Sequence, residues 1–243
     1  MIITSKNTFE PNREYAFRIV KDNIINMEIK PGSLIGEQEI ATQLGISRTP
    51  VHEAFLELSK SKIVNILPQK GCSVSLIDYE LIKESRFLRI AVEGALLKEA
   101  CDVATEEDIQ KLYANIKLQE FYIENDPPKF LDLDNEFHKS IYVICNKMQC
   151  FYMVGLMSLH FDRVRSLSLK TIKDVKLISD HKAIADAIAA HDKDAVDAAF
   201  AKHMSRFDLD WDIIKKAYSE YITYYRRLFN HTIGTWVFNS GFL

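Results

Sequence analysis

Residues Glu37 to Val74, EQEIATQLGISRTPVHEAFLELSKSKIVNILPQKGCSV, constrain this chain more than any other stretch. They read as a helix, a tight turn, a second helix and a small hairpin. Ile40, Ala41 and Leu44 form the apolar face of a first short helix. Gly45 stands where the chain must turn with positive φ, and Ile46 follows as the buried turn residue. Ser47 is a suitable N-cap, and Pro50 falls in the first turn, where its missing N–H costs little. Val51, Ala54, Phe55 and Leu58 then repeat at helical spacing, leaving the opposite side free. That side begins with Ser47, Arg48, Thr49 and His52, donor-rich residues at a helix N-terminus. In a helix-turn-helix this end of the second helix meets base edges and phosphates, so the segment predicts DNA binding.

The run from Ile25 to Val74 resembles the winged helix-turn-helix of GntR-family bacterial transcription regulators. The matching pieces are Lys30-Pro31-Gly32, Leu34 with Glu37, Leu44 through Val51, Glu53-Ala54, Leu58, and Pro68-Gln69-Lys70-Gly71. The resemblance implies DNA contacts from Glu37, Gln38, Ser47, Arg48, Thr49 and His52, with Lys70 and Gly71 at a wing tip beside the minor groove. Two positions depart from the family pattern: His52 stands where Arg is usual, and Phe55 where Leu is usual. Arg48 would therefore carry more of the readout.

The 243 residues allow two modest domains or one large one. No apolar run approaches the roughly 18–20 residues of a membrane span, and the N-terminus lacks a signal-peptide pattern. Cys72, Cys101, Cys145 and Cys150 show no CxxC pairing, which suits reduced structural thiols in a cytoplasmic protein. Charge supplies little affinity for DNA. Net charge is −3, and residues 1–77 hold nine Lys/Arg against eight Asp/Glu. Affinity scales with the phosphates neutralised, so a homodimer on a palindromic operator is expected to double the contacts. Lys30, Arg48, Lys60, Lys62 and Lys70 are the cations expected to serve it.

Past the hairpin the composition changes. Between Tyr79 and Phe229 there are only Gly94, Gly155, Pro127 and Pro128, and helical periodicity recurs throughout. Asp78 is expected to cap and hinge. Six helices are expected, at about 79–100, from Thr105 to Pro127-Pro128, on to Cys145, and at 148–170, 178–191 and 193–228. Ile82, Leu88, Ala91, Ala95 and Leu96 would be apolar positions of the first. Short connections and no strand signal make this an antiparallel six-helix bundle. The fold class is thus mainly α, with a winged helix-turn-helix at 12–77 and the bundle at 78–229. This bundle resembles the FCD ligand-binding domain of the FadR branch, in its shorter VanR-like form.

The bundle also carries a ligand set. Asp134 and His138 are four apart on one helix face, His181 opens the fifth helix, and His203 lies a third of the way along the sixth. One carboxylate and three imidazoles suit a divalent ion, Zn²⁺ or Ni²⁺ foremost, and bundle cores build metal sites from facing helices. An Asp-x-x-x-His pair alone is common on solvated helices. The family resemblance is what assigns all four as metal ligands. It also implies a small organic acid bound at the metal, with Arg163 or Arg165 neutralising its carboxylate. Two residues apart on a helix, these arginines point in opposite directions, and the family pattern favours Arg163.

Two other readings fit the same residues. A metal-dependent hydrolase or oxygenase would want three ligands and a general base, yet four ligands are present and Glu136 faces away from Asp134 and His138. No enzyme is therefore expected. A protein-interaction module with a non-functional winged domain rests on His52 alone. His160, His191 and His231 are expected to be surface or packing residues, and Phe207, Trp211, Tyr218, Tyr221 and Tyr225 core or dimer surface. Residues 1–11 read as a polar, mobile arm, and no role is assigned to the apolar tail 230–243.

Overall fold

The computed structural model describes residues 1–67, 71–172 and 176–224. The tail 230–243, Tyr225, and Pro68, Gln69 and Lys70 of the hairpin tip lie outside the described residues. The N-terminal domain is built on three helices: α1 (Asn12–Ile25), α2 (Glu37–Leu44) and α3 (Arg48–Lys60). Its sheet has the order β1-β3-β2, from β1 (Leu34–Ile35), β2 (Val64–Leu67) and β3 (Gly71–Val74), all antiparallel. Gly45 ends α2 in the left-handed region at φ 66°, as the turn requires. Gly71 also has positive φ, at 93°, and a Cβ there would stand 2.7 Å from the Ile35 carbonyl oxygen. That close approach is what lets β1 pair with β3.

Val51, Ala54, Phe55 and Leu58 of α3 are buried, and they pack with Ile19, Val20 and Ile24 of α1. Phe55 is accommodated in full burial, so its departure from the family pattern is a packing change. Ser47 occupies the N-cap position of α3, but its hydroxyl makes no capping hydrogen bond. The exposed hydroxyl stays available to a ligand instead.

Residues 1–11 are not a free arm. The Ile2 N–H donates to Asn23 Oδ1 (2.6 Å) and Asn23 Nδ2 donates back to the Ile2 carbonyl (2.7 Å). Tyr15 donates to the Thr4 carbonyl, and Arg18 is fixed by Glu10 at 2.7 Å. The sequence signal was misleading because the anchors sit on α1, not in the arm.

The C-terminal domain holds six helices: α4 (Tyr79–Val103), α5 (Glu106–Asn125), α6 (Pro127–Ile144), α7 (Met148–Thr171), α8 (Lys176–Ala189) and α9 (Lys193–Ala217). Local chemistry sets their starts. Asp78 accepts from the Glu80 N–H, Thr105 and Asp108 form a capping box, and Asp126 with Pro127 opens α6.

Two expectations fail here. The sixth helix stops at Ala217, well short of 228, and a single 3₁₀ turn (Ser219–Tyr221) follows. The chain then forms β5 (Ile222–Thr223), parallel to β4 (Ile77–Asp78) in the linker between the domains. Two-residue strands leave no periodicity to detect. On α4, Ala91 and Ala95 face solvent, and the buried stripe runs Ile82, Ser85, Arg89, Glu93, Leu96, Ala100. Cys72, Cys101 and Cys145 are buried free thiols and Cys150 is exposed. No helix among the described residues is long and apolar enough to cross a membrane.

Candidate functional site

Three regions bear on function, and α7 connects two of them. The first is the front of α3. Gln38, Ser47, Arg48, Thr49 and His52 are all exposed there. Glu37 is not: it is buried, and its carboxylate accepts from Arg48 Nε (2.6 Å) and His52 Nδ1 (2.7 Å). Burial pushes the Glu37 carboxyl up, but hydrogen bonds from His52 and Arg48 outweigh it and hold it below the ordinary range. Glu37, expected at the DNA face, lies instead beneath Arg48 and His52 as a buttress for both side chains. With Nδ1 donating to Glu37, His52 presents Nε2 to whatever faces α3. Lys30, Lys60 and Lys62 are exposed as well.

The second region is the bundle core. His138 on α6, His181 on α8 and His203 on α9 are buried together, with ring centroids 4.8–5.2 Å apart. One ring nitrogen from each lies within 4.8 Å of the others. His138 Nε2, His181 Nε2 and His203 Nδ1 are buried with no hydrogen-bond partner. Orphaned buried nitrogens are costly unless something else satisfies them. A cation with bonds of about 2 Å lies within reach of such a cluster after small ring rotations. Burial first, then the neighbouring histidines and after them Arg89 and Arg165, push the pKa values of His181 and His203 well down, so both stay neutral with lone pairs available. Burial and Arg89 likewise lower His138. Asp134 sits beside the triad, with Oδ1 3.2 Å from His181 Nε2 and 3.9 Å from His138 Nε2. Its other oxygen pairs with Arg165. The donor set fits a divalent ion.

The outer shell was not legible in the sequence. His138 Nδ1 donates to Glu93 of α4, and His181 Nδ1 donates to Gln119 of α5 at 2.7 Å. Gln119 in turn donates to Asn115 (2.6 Å), which donates to the Leu133 carbonyl (3.1 Å). These bonds fix which nitrogen each ring turns inward. Burial raises the Glu93 carboxyl, but His138 and Arg89 overcome it and pull it down to about 2. Phe137 stacks on His181 with centroids 4.3 Å apart. The signal that could have found Arg89 and Glu93 is their place on the α4 stripe of buried residues, where charges must be paired.

A cavity of about 610 Å³, its open mouth included, adjoins the triad and is lined by Arg89, Asp134, Arg165, Ser168, His203 and Arg206 together with Phe130, Phe161 and Phe207. That mix of apolar wall and few polar groups suits a small organic ligand. Arg165 faces it, while its Nη1 also donates to Asn135 (2.8 Å) and Asp162 (2.9 Å). Arg163 does not. It is fully buried at the seam between the domains, donating to the carbonyls of Ser75 (2.7 Å) and Leu76 (3.1 Å). The expected effector contact at Arg163 is thus corrected to a clamp on the linker. Helix geometry explains the division, since neighbours two apart face opposite ways.

The seam is the third region, and His160 belongs to it as a buried packing residue. Its Nε2 donates to the Lys62 carbonyl (3.2 Å), and Nδ1 accepts from the Asp78 N–H (3.2 Å) and Arg163 (2.9 Å). Burial first, then Arg163, pull its pKa to about 3, so the ring is neutral as this bonding demands. One residue back, Leu159 inserts into the core of the winged domain.

Comparison with known proteins agrees with this architecture. Residues 12–74 match the model for bacterial regulatory proteins of the gntR family, and residues 84–206 match the FCD domain. The chain is 29% identical over 203 residues to the HTH-type transcriptional repressor RspR of Escherichia coli K12, covering 83% of this chain and 89% of the relative. It is 26% identical to the Nta operon transcriptional regulator of Aminobacter aminovorans, over 82% of this chain and 94% of the relative. Among solved structures, E. coli McbR/YncC superposes with TM-score 0.75 at 20% identity, covering 86% of this chain and all of that one. A GntR regulator from Rhodococcus sp. RHA1 superposes with TM-score 0.65 at 21% identity, covering 85% and 98%.

Proposed function

This chain belongs to the GntR family of bacterial regulatory proteins and carries an FCD domain, a transcriptional regulator by kind, and from that premise we propose that it is a cytoplasmic repressor that binds a palindromic operator as a homodimer and responds to a small organic acid at a metal site in the bundle. The observation that carries this reading is the buried histidine triad, whose unpartnered nitrogens converge beside an arginine-lined cavity. His138, His181, His203 and Asp134 would hold Zn²⁺ or Ni²⁺, and the ion would offer a coordination position to the acid's carboxylate. Arg165 lines the same space and supplies charge complementarity.

Output would run through α7. The helix presents Arg165 to the cavity and Arg163 and His160 to the linker, so a shift of its axis would move both ends together. In a dimer, a changed angle between bundle and winged domain would alter the spacing of the two α3 helices. Exposed Phe87 and Ile90 on α4, and Tyr152, Met153 and Met157 on α7, provide apolar surface for subunit association.

The test is elemental analysis and operator binding on one preparation. The wild-type protein is expected to copurify with close to one divalent ion per chain and to shift a specific duplex, released by a cognate acid. The His138→Ala/His181→Ala protein should lose the metal and the response to acid while keeping its fold. Unchanged metal content in the double variant would refute the site.

A further inference from the structure

Glu37 fixes what the front of α3 can offer to a base. Its buried carboxylate accepts from Arg48 Nε with one oxygen (2.6 Å) and from His52 Nδ1 with the other (2.7 Å). A carboxylate held below its ordinary range is ionised and can only accept, so the His52 ring proton stands on Nδ1. The outward Nε2 of the neutral ring then carries a lone pair and no proton. Arg48 and His52 lie one turn apart on α3, with 66% and 48% of their side chains exposed. With Nε tied to Glu37, Arg48 turns its terminal N–H groups outward. The pair therefore shows donors at one position and an acceptor at the next.

Base edges in the major groove differ in this same polarity. Guanine presents N7 and O6 as acceptors and thymine presents O4, whereas only adenine N6 and cytosine N4 are amino donors. We infer that His52 is a specificity-determining residue that selects an adenine or cytosine amino group through Nε2, and that Glu37 is the positioning residue that sets this choice by fixing the ring tautomer. The inference rests on the operator-binding reading above. Arg48, as a donor, would take guanine. One helical turn advances about 5.4 Å and successive bases stand about 3.4 Å apart, so the two selected bases lie one or two steps from each other. The neutral Nε2 does not suit a phosphate oxygen, because both would be acceptors. An arginine at the same position, as in the family pattern, would offer only donors and reverse the choice.

The experiment selects bound duplexes from a randomised pool with four full-length proteins whose fold circular dichroism has confirmed: wild type, His52→Arg, His52→Ala and Glu37→Gln. It is run at pH 8.5, well above the range in which an ordinary imidazole is charged. The wild type should enrich adenine or cytosine at one position of each half-site, next to or one step beyond a guanine. Replacing that base by guanine should weaken mobility-shift affinity about tenfold. His52→Arg should enrich guanine there, and His52→Ala should leave the four bases within about twofold while the rest of the site stands. In Glu37→Gln the amide oxygen stays with Arg48 Nε and the amide N–H donates to His52 Nδ1. The ring proton then moves to Nε2, and the preference should turn to guanine or thymine. A merely structural Glu37 would lower affinity without changing the preferred base. Identical base preferences in wild type and His52→Ala, or an amino base retained by Glu37→Gln, would overturn the inference. Should Glu37→Gln fail to fold, the two His52 variants decide. No sequence enriched by the wild type would refute the operator-binding reading itself, a separate outcome.

Discussion

Replacing Arg163 by Met separates two roles that the sequence could not. The side chain is fully buried, and its guanidinium donates to the Ser75 and Leu76 carbonyls and to His160 Nδ1. Methionine fills much of the volume but supplies no donor, so two linker carbonyls lose their guanidinium partner while His160 Nδ1 keeps the Asp78 N–H. Hydrogen bonds from a charged donor contribute about 1.5–3 kcal/mol each, and the two to the linker are the ones most directly stranded, for a loss of about 3–6 kcal/mol. At roughly 2–4 °C per kcal/mol for a protein of this size, melting should fall by at least about 6 °C. Calorimetry should also show the single transition splitting, because the seam that makes the two domains cooperate has been cut. Binding of the organic acid should be unchanged, since Arg163 lies away from the cavity. A variant that melts within about 2 °C of wild type and no longer binds the acid would refute the clamp and restore the effector role.

Other outcomes are as definite. His160 titrates near 6.5 when unfolded and at about 3 in the folded chain, so its contribution is complete above pH 6.5 and is lost as pH falls toward 3. In urea titrations at pH 4–6, the stability of the wild type relative to His160→Gln should decline by up to about 1.4 kcal/mol per pH unit, and a flat difference would contradict the buried neutral ring. Arg48→Ala should abolish specific duplex binding with the fold intact. Glu37→Gln should weaken it about tenfold, or about 1.4 kcal/mol, by loosening both partners, and full affinity in mobility shifts would undo the buttress assignment. Gln119→Leu frees the His181 ring to take the other tautomer, and Zn²⁺ affinity should drop about 10–100-fold by chelator competition.

The helix-turn-helix and the six bundle helices were legible because long amphipathic segments and end signals such as Thr105-x-x-Asp108 and Asp126-Pro127 are local. The histidines were legible through family resemblance, which fixes residue types at positions without giving their surroundings. What stayed hidden depends on partners distant in the chain. Glu93 and Gln119 act only because α4 and α5 lie against α6 and α8. Arg163 and Arg165 could not be told apart until the rotation of α7 against the linker was known. Glu37 looked like a surface acid at a helix start, and only packing revealed it beneath Arg48 and His52. The missed β5 shows the same limit, since two residues pair with a linker 145 positions earlier.

That short parallel pair has a consequence for the order in which the protein becomes competent. The winged domain contains all its own core apart from Leu159, so it can fold while the bundle is still being synthesised. The seam is completed later, because the α7 clamp is followed by the strand that pairs with Ile77–Asp78 only at Ile222–Thr223, after α9 has been made. A chain interrupted before Ile222 would carry a complete reading head on an unlatched neck. Such a fragment would keep the α7 clamp but lack the β4–β5 pair, so the linker is fully fastened only once the chain has been made as far as Thr223.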